Sequence, residues 1–378
     1  MNNNYSHFFI FGCWNRDNCN GTKLDYRKAI ANKLLLKKDY FDFGIIAGDN
    51  IYPHKSEKIK NYYESTLNYG FNLLQQLKNN TKNKKIYGVI GNHDIHSPNI
   101  LQKQINRNVL TMPNNFFIDE KNNYIRIICF DTNLFDKIWN DNNIKENILF
   151  NVKNNNNENF YNVKNIKELE KKIDDIISEK FNGWTIIIGH EPIISIKTKD
   201  YGEKITNWNN YKEILEKIAS IPKVIYMCAD IHSFQAWNIK INNKNLPMIV
   251  VGTGGAEPDL SLNINKTYTH DGNKINLLAT EYPYGYCDVS YNDKELIITY
   301  IPLNGCSNES NIEYTFEYNI KKNKLDFTKA NIQKGKCDAK IIDKELCEKP
   351  DLIIGGKLYN KIYNGIYNLL YKKFNYNN

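Results

Sequence analysis

Short apolar runs, each followed at once by a small residue and a polar side chain, most constrain the fold of this chain. Five such runs span residues 7–11, 41–47, 85–90, 184–188 and 223–228. They are continuous rather than alternating, and they are rich in β-branched and aromatic residues. This pattern is typical of strands that are buried on both faces of a sheet.

Helical spacing of apolar residues separates some of these runs. The predicted helices cover residues 24–38, 62–77, 166–177 and 211–218. Further strands are predicted over residues 124–130, 248–251, 286–290 and 295–301, and the last two flank a hairpin turn at residues 291–294. Strands that alternate with helices indicate an α/β fold.

Composition excludes several classes of protein. Of the 378 residues, 41% are hydrophobic and 24% are charged, so a sizeable core is expected. No apolar run approaches the roughly 18 residues of a membrane-spanning helix. We predict no signal peptide, and a cytoplasmic location is favoured. None of the eight cysteines forms a CxxC pair, so a structural zinc knuckle is not expected.

The net charge of +8 suits a small anionic substrate or an acidic partner, although a solvated basic surface is the simpler interpretation. No arginine-rich cluster is present in the sequence, so we expect no specific nucleic-acid partner.

The residues that follow the five runs carry the candidate chemistry. In chain order they are Gly12-Cys13-Trp14-Asn15, Gly48-Asp49-Asn50-Ile51-Tyr52, Gly91-Asn92-His93-Asp94, Gly189-His190-Glu191-Pro192 and Ala229-Asp230-Ile231-His232. In α/β sheets, ligands bind outside the carboxyl ends of the strands. The glycines allow sharp turns and a close approach of the backbone. Potential metal ligands are therefore expected to converge on one place.

This ordered series resembles the calcineurin-like metallophosphoesterases and, more narrowly, the small purple (tartrate-resistant) acid phosphatases. Residues 48–52 are similar to their GDNxY turn, residues 91–94 to GNHD and residues 189–192 to GHxP. The resemblance covers about residues 7–303 and implies a four-layer αββα sandwich. We therefore predict a metallophosphoesterase domain over residues 1–305. Residues 306–378 would form a C-terminal extension of unknown role.

The resemblance also implies a binuclear centre of iron, zinc or manganese ions. In such a centre Asp49 would bridge both ions. Tyr52, His232 and the residue at position 13 would complete the first site, and Asn92, His190 and the residue at position 230 would complete the second.

The substrate would be a small phosphorylated molecule, and hydroxide would attack its phosphorus atom. His93 would stabilise charge on the phosphoryl oxygens, and His93 or Glu191 would protonate the leaving group.

Two positions depart from the family pattern. Cys13 stands where the family has aspartate, and Asp230 stands where it has histidine. Both side chains can bind a metal, and a thiolate favours softer ions such as zinc over ferric iron. Alternatively, Cys13 is a buried core thiol and the first ion is lost.

Three functions follow from these alternatives. The first is hydrolysis of phosphate monoesters. The second is a phosphatase-like binding or scaffold protein that has lost turnover. The third is a phosphodiesterase on the same fold, against which Tyr52 argues because this tyrosine belongs to the purple phosphatase branch.

Two segments stand outside the predicted domain pattern. The Asn-dense stretch 136–165 indicates a surface insertion, and residues 357–373 show the pattern of a basic amphipathic helix. Such a helix either packs back on the domain or binds a membrane surface or a protein partner. We expect a monomer.

Overall fold

The structure, a computed structural model, describes residues 5–16, 25–52, 60–95, 98–112, 117–122, 124–135, 166–199, 202–207, 212–256, 259, 267–270, 273–281, 284–304, 311–333, 336 and 338–339. The chain divides into a unit of residues 1–340 and a unit of residues 341–378. All described residues belong to the first unit.

Strands dominate the described residues. In chain order they are β1 (Ser6–Phe11), β2 (Phe43–Ile46), β3 (Ile86–Gly88), β4 (Phe117–Asn122), β5 (Ile125–Phe130), β6 (Trp184–Ile188), β7 (Ile194–Lys199), β8 (Gly202–Asn207), β9 (Val224–Cys228), β10 (Phe234–Ile241), β11 (Lys244–Val251), β12 (Thr267–His270), β13 (Asn273–Glu281), β14 (Gly285–Tyr291), β15 (Leu296–Pro302), β16 (Asn311–Asn319) and β17 (Lys324–Gln333). The α-helices are α1 (Tyr26–Leu35), α2 (Lys60–Asn80), α3 (Pro98–Arg107), α4 (Ile166–Ser178) and α5 (Lys212–Ile218).

Two sheets carry most of these strands. The first has the spatial order β17-β16-β15-β14-β1-β2-β3, and the second has the order β12-β13-β10-β11-β9-β6-β5-β4. Within the first sheet, β1, β2 and β3 are parallel. Within the second, β5, β6, β9 and β11 are parallel. Strands β7 and β8 form a separate hairpin.

The helices cover the outer faces of the two sheets. Leu34 of α1 and Leu74 of α2 belong to one buried cluster with Ile186 and Ile188, which point from β6 towards the first sheet. Ile187, between them, belongs to a second cluster together with residues of α4 and α5. Alternate residues of β6 therefore pack on opposite faces, which explains why the run is apolar throughout. The predicted four-layer α/β sandwich is confirmed.

Side-chain hydrogen bonds define the start of one helix and the turn of one hairpin. The carboxylate of Asp25 accepts a hydrogen bond from the Lys28 backbone N–H at 3.0 Å and caps α1. Asn292 Oδ1 accepts from the backbone N–H groups of Lys294 and Glu295, each at 2.8 Å, which closes the predicted β14–β15 hairpin.

The five apolar runs all form strands, but they divide between the sheets. The first three runs form β1, β2 and β3, whereas the last two form β6 and β9 of the second sheet. Their carboxyl ends still meet, because backbone hydrogen bonds join the sheets there. Gly12 N–H donates to the Val251 carbonyl at 2.8 Å, and Gly254 N–H donates to the Gly12 carbonyl at 3.0 Å.

The first part of the predicted extension is built into the first sheet. Tyr314, Phe316 and Tyr318 of β16 are buried, and the Phe234 ring lies 6.2 Å from the ring of Phe316. Asn238 also exchanges two hydrogen bonds of 2.8 Å with the backbone of Leu325 on β17. The role of residues 306–378 as an extension stays a prediction.

Both the Asn-dense stretch 136–165 and the periodic stretch 357–373 lie outside the described residues. Across the part of the chain that is described, no helix is both long enough and apolar enough to cross a bilayer.

Truncation tests the contribution of β16 and β17. Removal of residues 306–378 deletes the buried side chains of Tyr314, Phe316 and Tyr318 and exposes the residues on which they pack. Each such side chain contributes about 1.5–3 kcal/mol through burial. We expect a large drop in melting temperature, measured by circular dichroism. Removal of residues 341–378 alone is the control and should leave the melting temperature close to that of the full chain. Equal melting temperatures for the two truncations would contradict the role of the strand pair.

Candidate metal centre

The carboxylate of Asp49 lies between groups from both sheets. Asp49 follows β2 and is 1% exposed. Its Oδ2 lies 3.8 Å from the Sγ of Cys13, which follows β1. Its Oδ1 lies 3.3 Å from the Nε2 of His190, which follows β6 of the second sheet. The two oxygens of one carboxylate therefore face different sets of side chains.

The backbone at three of the predicted ligands is left-handed. The φ angles are 51° at Cys13, 53° at Asp49 and 58° at Asp230. For residues with a Cβ this conformation costs roughly 1–2 kcal/mol each. Such strain persists only where the surroundings impose it, and it clusters at functional sites. Each of these three residues lies two or three positions after the end of a strand, in the turn that leads away from the place where the strands converge.

Glycines allow the backbone to approach closely at this point. A Cβ atom on Gly48 would lie 2.3 Å from His190 Nδ1, and Gly48 itself has a φ of 86°. A Cβ atom on Gly91 would lie 2.2 Å from Asp49 Oδ1 and 2.3 Å from the Asp49 backbone nitrogen. Neither position has room for a larger residue without displacing a predicted ligand.

His190 is fully buried, and its ring orientation is fixed. Its Nδ1 lies 2.7 Å from the Ala47 carbonyl oxygen and donates to it. Its Nε2 lies 3.3 Å from Asp49 and 3.8 Å from Asp230, yet the described residues offer it no partner with hydrogen-bond geometry. Burial alone would lower the pKa of His190, but the carboxylates of Asp49 and Asp230 raise it to about 10.

The other side of Asp49 is formed by Cys13, Tyr52 and His232. Ligand atoms of Cys13, Asp49 and His232 lie within 4.8 Å of one another. The Tyr52 hydroxyl lies 3.0 Å from His232 Nε2. Burial, followed by the charge of Asp49, raises the pKa of both the Cys13 thiol and the Tyr52 phenol well above their usual values. For Asp49 itself, burial alone would raise the pKa, but the nearby histidines together hold it well below its usual range.

Asn92 and His93 complete the cluster. Asn92 Oδ1 is buried and has no hydrogen-bond partner among the described residues. The His93 backbone N–H donates to Asp49 Oδ1 at 3.1 Å. The half-buried His93 ring lies 4.5 Å from the Tyr52 ring, measured between centroids. The structure thus brings six of the predicted ligands together at the strand ends, namely Cys13, Asp49, Tyr52, His190, Asp230 and His232. Asn92 lies between Gly91 and His93, whose backbones both approach Asp49.

The backbone of Glu191 is held at two points. Its N–H donates to Thr132 Oγ1 at 3.1 Å, and its carbonyl oxygen accepts from the Tyr226 hydroxyl at 2.7 Å. The backbone of His190 donates to the same threonine hydroxyl at 3.3 Å. The role of Glu191 as a proton donor stays a prediction.

Sequence reasoning assigned no role to Asp94, which lies beneath the centre. Asp94 is fully buried, and burial, followed by the charge of Asp49, raises its pKa to about 7. It accepts hydrogen bonds from the following four donors: Gly91 N–H at 2.8 Å, Asn50 Nδ2 at 3.1 Å, Ile51 N–H at 3.1 Å and Gln104 Nε2 at 3.0 Å. It thus ties the turn after β2 to the turn after β3.

Asp259 is a second residue that the sequence did not single out. Its Oδ2 accepts from the His232 N–H at 2.9 Å, and its own N–H donates to the His232 carbonyl at 2.8 Å. No sequence motif marks Asp259, whereas Asp94 is the last residue of the quoted GNHD motif.

Residues 7–234 match the family described as Metallophos, calcineurin-like phosphoesterase. The chain therefore belongs to the calcineurin-like phosphoesterase family, and the broader of the two predicted resemblances is confirmed.

Comparison with solved structures agrees at the level of the fold. The chain is similar to a protein described as PhoD, at 10% identity and a TM-score of 0.55, over 89% of this chain and 74% of that one. It also aligns with a Vps29 single mutant from Entamoeba histolytica, at 8% identity and a TM-score of 0.31, over 86% of this chain and 98% of that one. The second score is too low to bear on the fold. A search of curated proteins finds no match.

The divalent ions that this family uses fit the residues present. His190 Nε2 and Asn92 Oδ1 are both buried and lack hydrogen-bond partners among the described residues. Cys13, Asp49 and His232 bring a sulfur, an oxygen and a nitrogen within 4.8 Å of one another. Buried polar atoms without partners cost free energy, and a cation would satisfy them.

Substitution of Gly91 by alanine tests the close approach at Asp49. The added Cβ would fall within 2.3 Å of Asp49 atoms, so the carboxylate must move. We expect the metal content of the purified protein, measured by inductively coupled plasma mass spectrometry after loading with zinc or manganese, to fall severalfold. Gly183→Ala is the matched control, because its Cβ would be equally crowded (2.5 Å from the Tyr124 carbonyl oxygen) at the start of β6. Equal metal contents would refute the constraint.

Asp94→Ala tests the support beneath the centre. The change leaves four donors without their acceptor, and a buried unsatisfied donor costs about 1–3 kcal/mol. We expect the free energy of unfolding in urea to fall by on the order of 3 kcal/mol or more. Asp174→Ala is the control, because its ion pair with Lys217 is solvent-exposed and should be worth about 1 kcal/mol or less. Similar losses in both variants would contradict the role assigned to Asp94.

Proposed function

We propose that the protein hydrolyses phosphate monoesters at a two-metal centre bridged by Asp49. The observation that carries the proposal is the position of the Asp49 carboxylate. One oxygen faces Cys13 and the other faces His190, so a single buried side chain has a ligand set on either side. Bridging of this kind requires one oxygen for each ion.

In this proposal the two ligand sets divide as follows. Cys13, Tyr52 and His232 bind the first ion, and Asn92, His190 and Asp230 bind the second. When bound, the ions would supply a hydroxide nucleophile at neutral pH and neutralise charge on the phosphoryl oxygens. The pairing of Tyr52 with His232 at 3.0 Å supports the narrower resemblance to purple acid phosphatases.

The part of His93 is to bind the phosphoryl group. Its backbone is held by Asp49, and its half-buried ring packs beside Tyr52. A ring fixed in this way can donate a hydrogen bond to a phosphoryl oxygen and give a proton to the leaving alkoxide. Glu191, directly after His190, is the second candidate for that proton transfer.

An arginine beside the centre favours an anionic substrate. Four side chains at the centre can each carry one negative charge, namely Cys13, Asp49, Tyr52 and Asp230. Two divalent ions would balance these charges and leave the site close to neutral. Arg16 adds positive charge nearby, with its guanidinium carbon 5.5 Å from the centroid of the Tyr52 ring. A phosphate monoester dianion would gain from that charge.

A binding protein without turnover is the second candidate, and Cys13 is the observation that favours it. The thiol is fully buried beside a carboxylate, and its pKa is raised well above the usual range. If the thiol stays protonated, the first ion is not held and only a phosphate-binding site remains.

Asp49→Asn tests the proposed hydrolase. The change replaces one carboxylate oxygen of Asp49 by an amide nitrogen and removes the negative charge, so the side chain can no longer offer one oxygen to each ion. Loss of an outer-shell partner of a metal ligand already costs about 10–100-fold, so we expect hydrolysis of p-nitrophenyl phosphate to fall by more than about a hundredfold. Asp293→Asn, in the exposed β14–β15 turn, is the control and should retain wild-type activity.

The same assay separates the alternatives. Faster hydrolysis of bis-p-nitrophenyl phosphate than of the monoester would favour a phosphodiesterase. Wild-type turnover by Asp49→Asn would place the activity elsewhere. No turnover by the wild-type protein with any divalent ion, followed by activity in the double variant Cys13→Asp with Asp230→His, would favour the binding protein.

A further inference from the structure

We infer that Cys13 is a thiolate ligand, and that it makes the first half of the centre a site for a thiophilic divalent ion of the zinc class. The inference rests on the proposed function in taking Asp49, Tyr52 and His232 as the other ligands of the first ion. It concerns which ion the chain selects, and it is tested by ligand spectroscopy rather than by turnover.

The distances around Cys13 match those of a shared tetrahedral ion. Zinc binds sulfur at about 2.3 Å and oxygen or nitrogen at about 2.0 Å, so a sulfur and an oxygen on one tetrahedral ion lie about 3.5 Å apart. The Sγ of Cys13 lies 3.8 Å from Asp49 Oδ2. His232 supplies a nitrogen within 4.8 Å of both atoms.

Tyr52 can provide the fourth ligand. Its hydroxyl oxygen lies 3.0 Å from His232 Nε2. The four side chains would give one sulfur, one nitrogen and two oxygens, a donor set that suits a divalent ion of the zinc class.

The backbone at Cys13 favours a ligand over a residue that only fills space. Its left-handed φ of 51° is sterically costly. The turn is held by two hydrogen bonds, from Cys13 N–H to the Gly48 carbonyl at 3.1 Å and from Ala256 N–H to the Cys13 carbonyl at 2.8 Å. The strained turn directs the thiol towards a carboxylate oxygen.

Other buried cysteines are placed differently. Cys228 and Cys287 lie within β9 and β14, in regular strand positions, and Cys228 Sγ donates to the Ile249 carbonyl at 3.6 Å. Neither is accompanied by a histidine and a carboxylate within ligand distance in the described part of the chain. They provide an internal comparison for a thiol that only packs.

The ligand set also predicts which ions are rejected. Soft thiolate ligands favour zinc, whereas carboxylate, carbonyl and water ligands suit magnesium and manganese. An aspartate at position 13 would leave only hard oxygen ligands and one imidazole on this side. We therefore expect Cys13→Asp to shift the preference of the site from zinc towards manganese.

Cobalt substitution provides the first test. The full-length protein is freed of metal, loaded anaerobically with Co²⁺ and examined by absorption spectroscopy. A cobalt–thiolate bond gives an intense near-ultraviolet charge-transfer band, which we expect in the wild-type protein and expect to lose in Cys13→Asp. Cys287→Ser removes a buried thiol of β14 that is not part of the cluster, and it should keep the band.

Zinc-edge X-ray absorption on the wild-type protein gives a second measurement that needs no variant to fold. One sulfur neighbour at about 2.3 Å is expected. Competition between equal concentrations of zinc and manganese, followed by mass spectrometry of the bound ions, should favour zinc at least about tenfold in the wild type and less in Cys13→Asp.

Cobalt or zinc bound without a sulfur neighbour would overturn the inference, as would a band that survives in Cys13→Asp. A sulfur ligand in a protein that hydrolyses no phosphate ester would uphold the inference while the proposed function fails. Hydrolysis without a sulfur ligand would do the reverse.

Discussion

Burial of one carboxylate between two sheets determines most of the local structure. Asp49 is almost completely removed from solvent, and an ionised carboxylate in such a position is costly unless charges and hydrogen bonds compensate. His190 and the His93 N–H provide part of that compensation within the protein. Glycine at position 91 follows from the same constraint, because the backbone after β3 must pass within contact of the carboxylate. Asp94, one layer below, holds the two turns together.

The elements that the sequence predicts well are those with a strong local signal. The run that forms β6 matches the observed strand residue for residue, since a stretch of β-branched residues flanked by Gly183 and Gly189 has no competing interpretation. The site residues can also be identified from the sequence, because each follows a strand and belongs to a short motif that combines a small residue with a potential ligand. Asp49, His190 and His232, which belong to three different motifs in the sequence, lie close together in the structure.

Other features depend on contacts between distant parts of the chain. The five runs looked alike in sequence, and nothing in them indicates that three belong to one sheet and two to the other. Strand β16 carries a clear alternation of Ile312, Tyr314, Phe316 and Tyr318, a period-two signal of a strand within the predicted extension. Asp259 is different, because its hydrogen bond joins it to His232, which is 27 residues away in the chain and carries no local signal of that contact.

The two departures from the family pattern, Cys13 and Asp230, lie on opposite sides of the Asp49 carboxylate. Cys13 lies on the Oδ2 side of Asp49, whereas Asp230 lies on the Oδ1 side, where its own oxygen is 3.8 Å from His190 Nε2. The first substitution therefore softens one half of the ligand set, and the second hardens the other half by exchanging an imidazole for a carboxylate. In the proposed centre the two halves thus differ more in character than a symmetric set of aspartates and histidines would allow. In that centre a softer ion would suit the half that contains Cys13, and a harder ion would suit the half that contains Asp230.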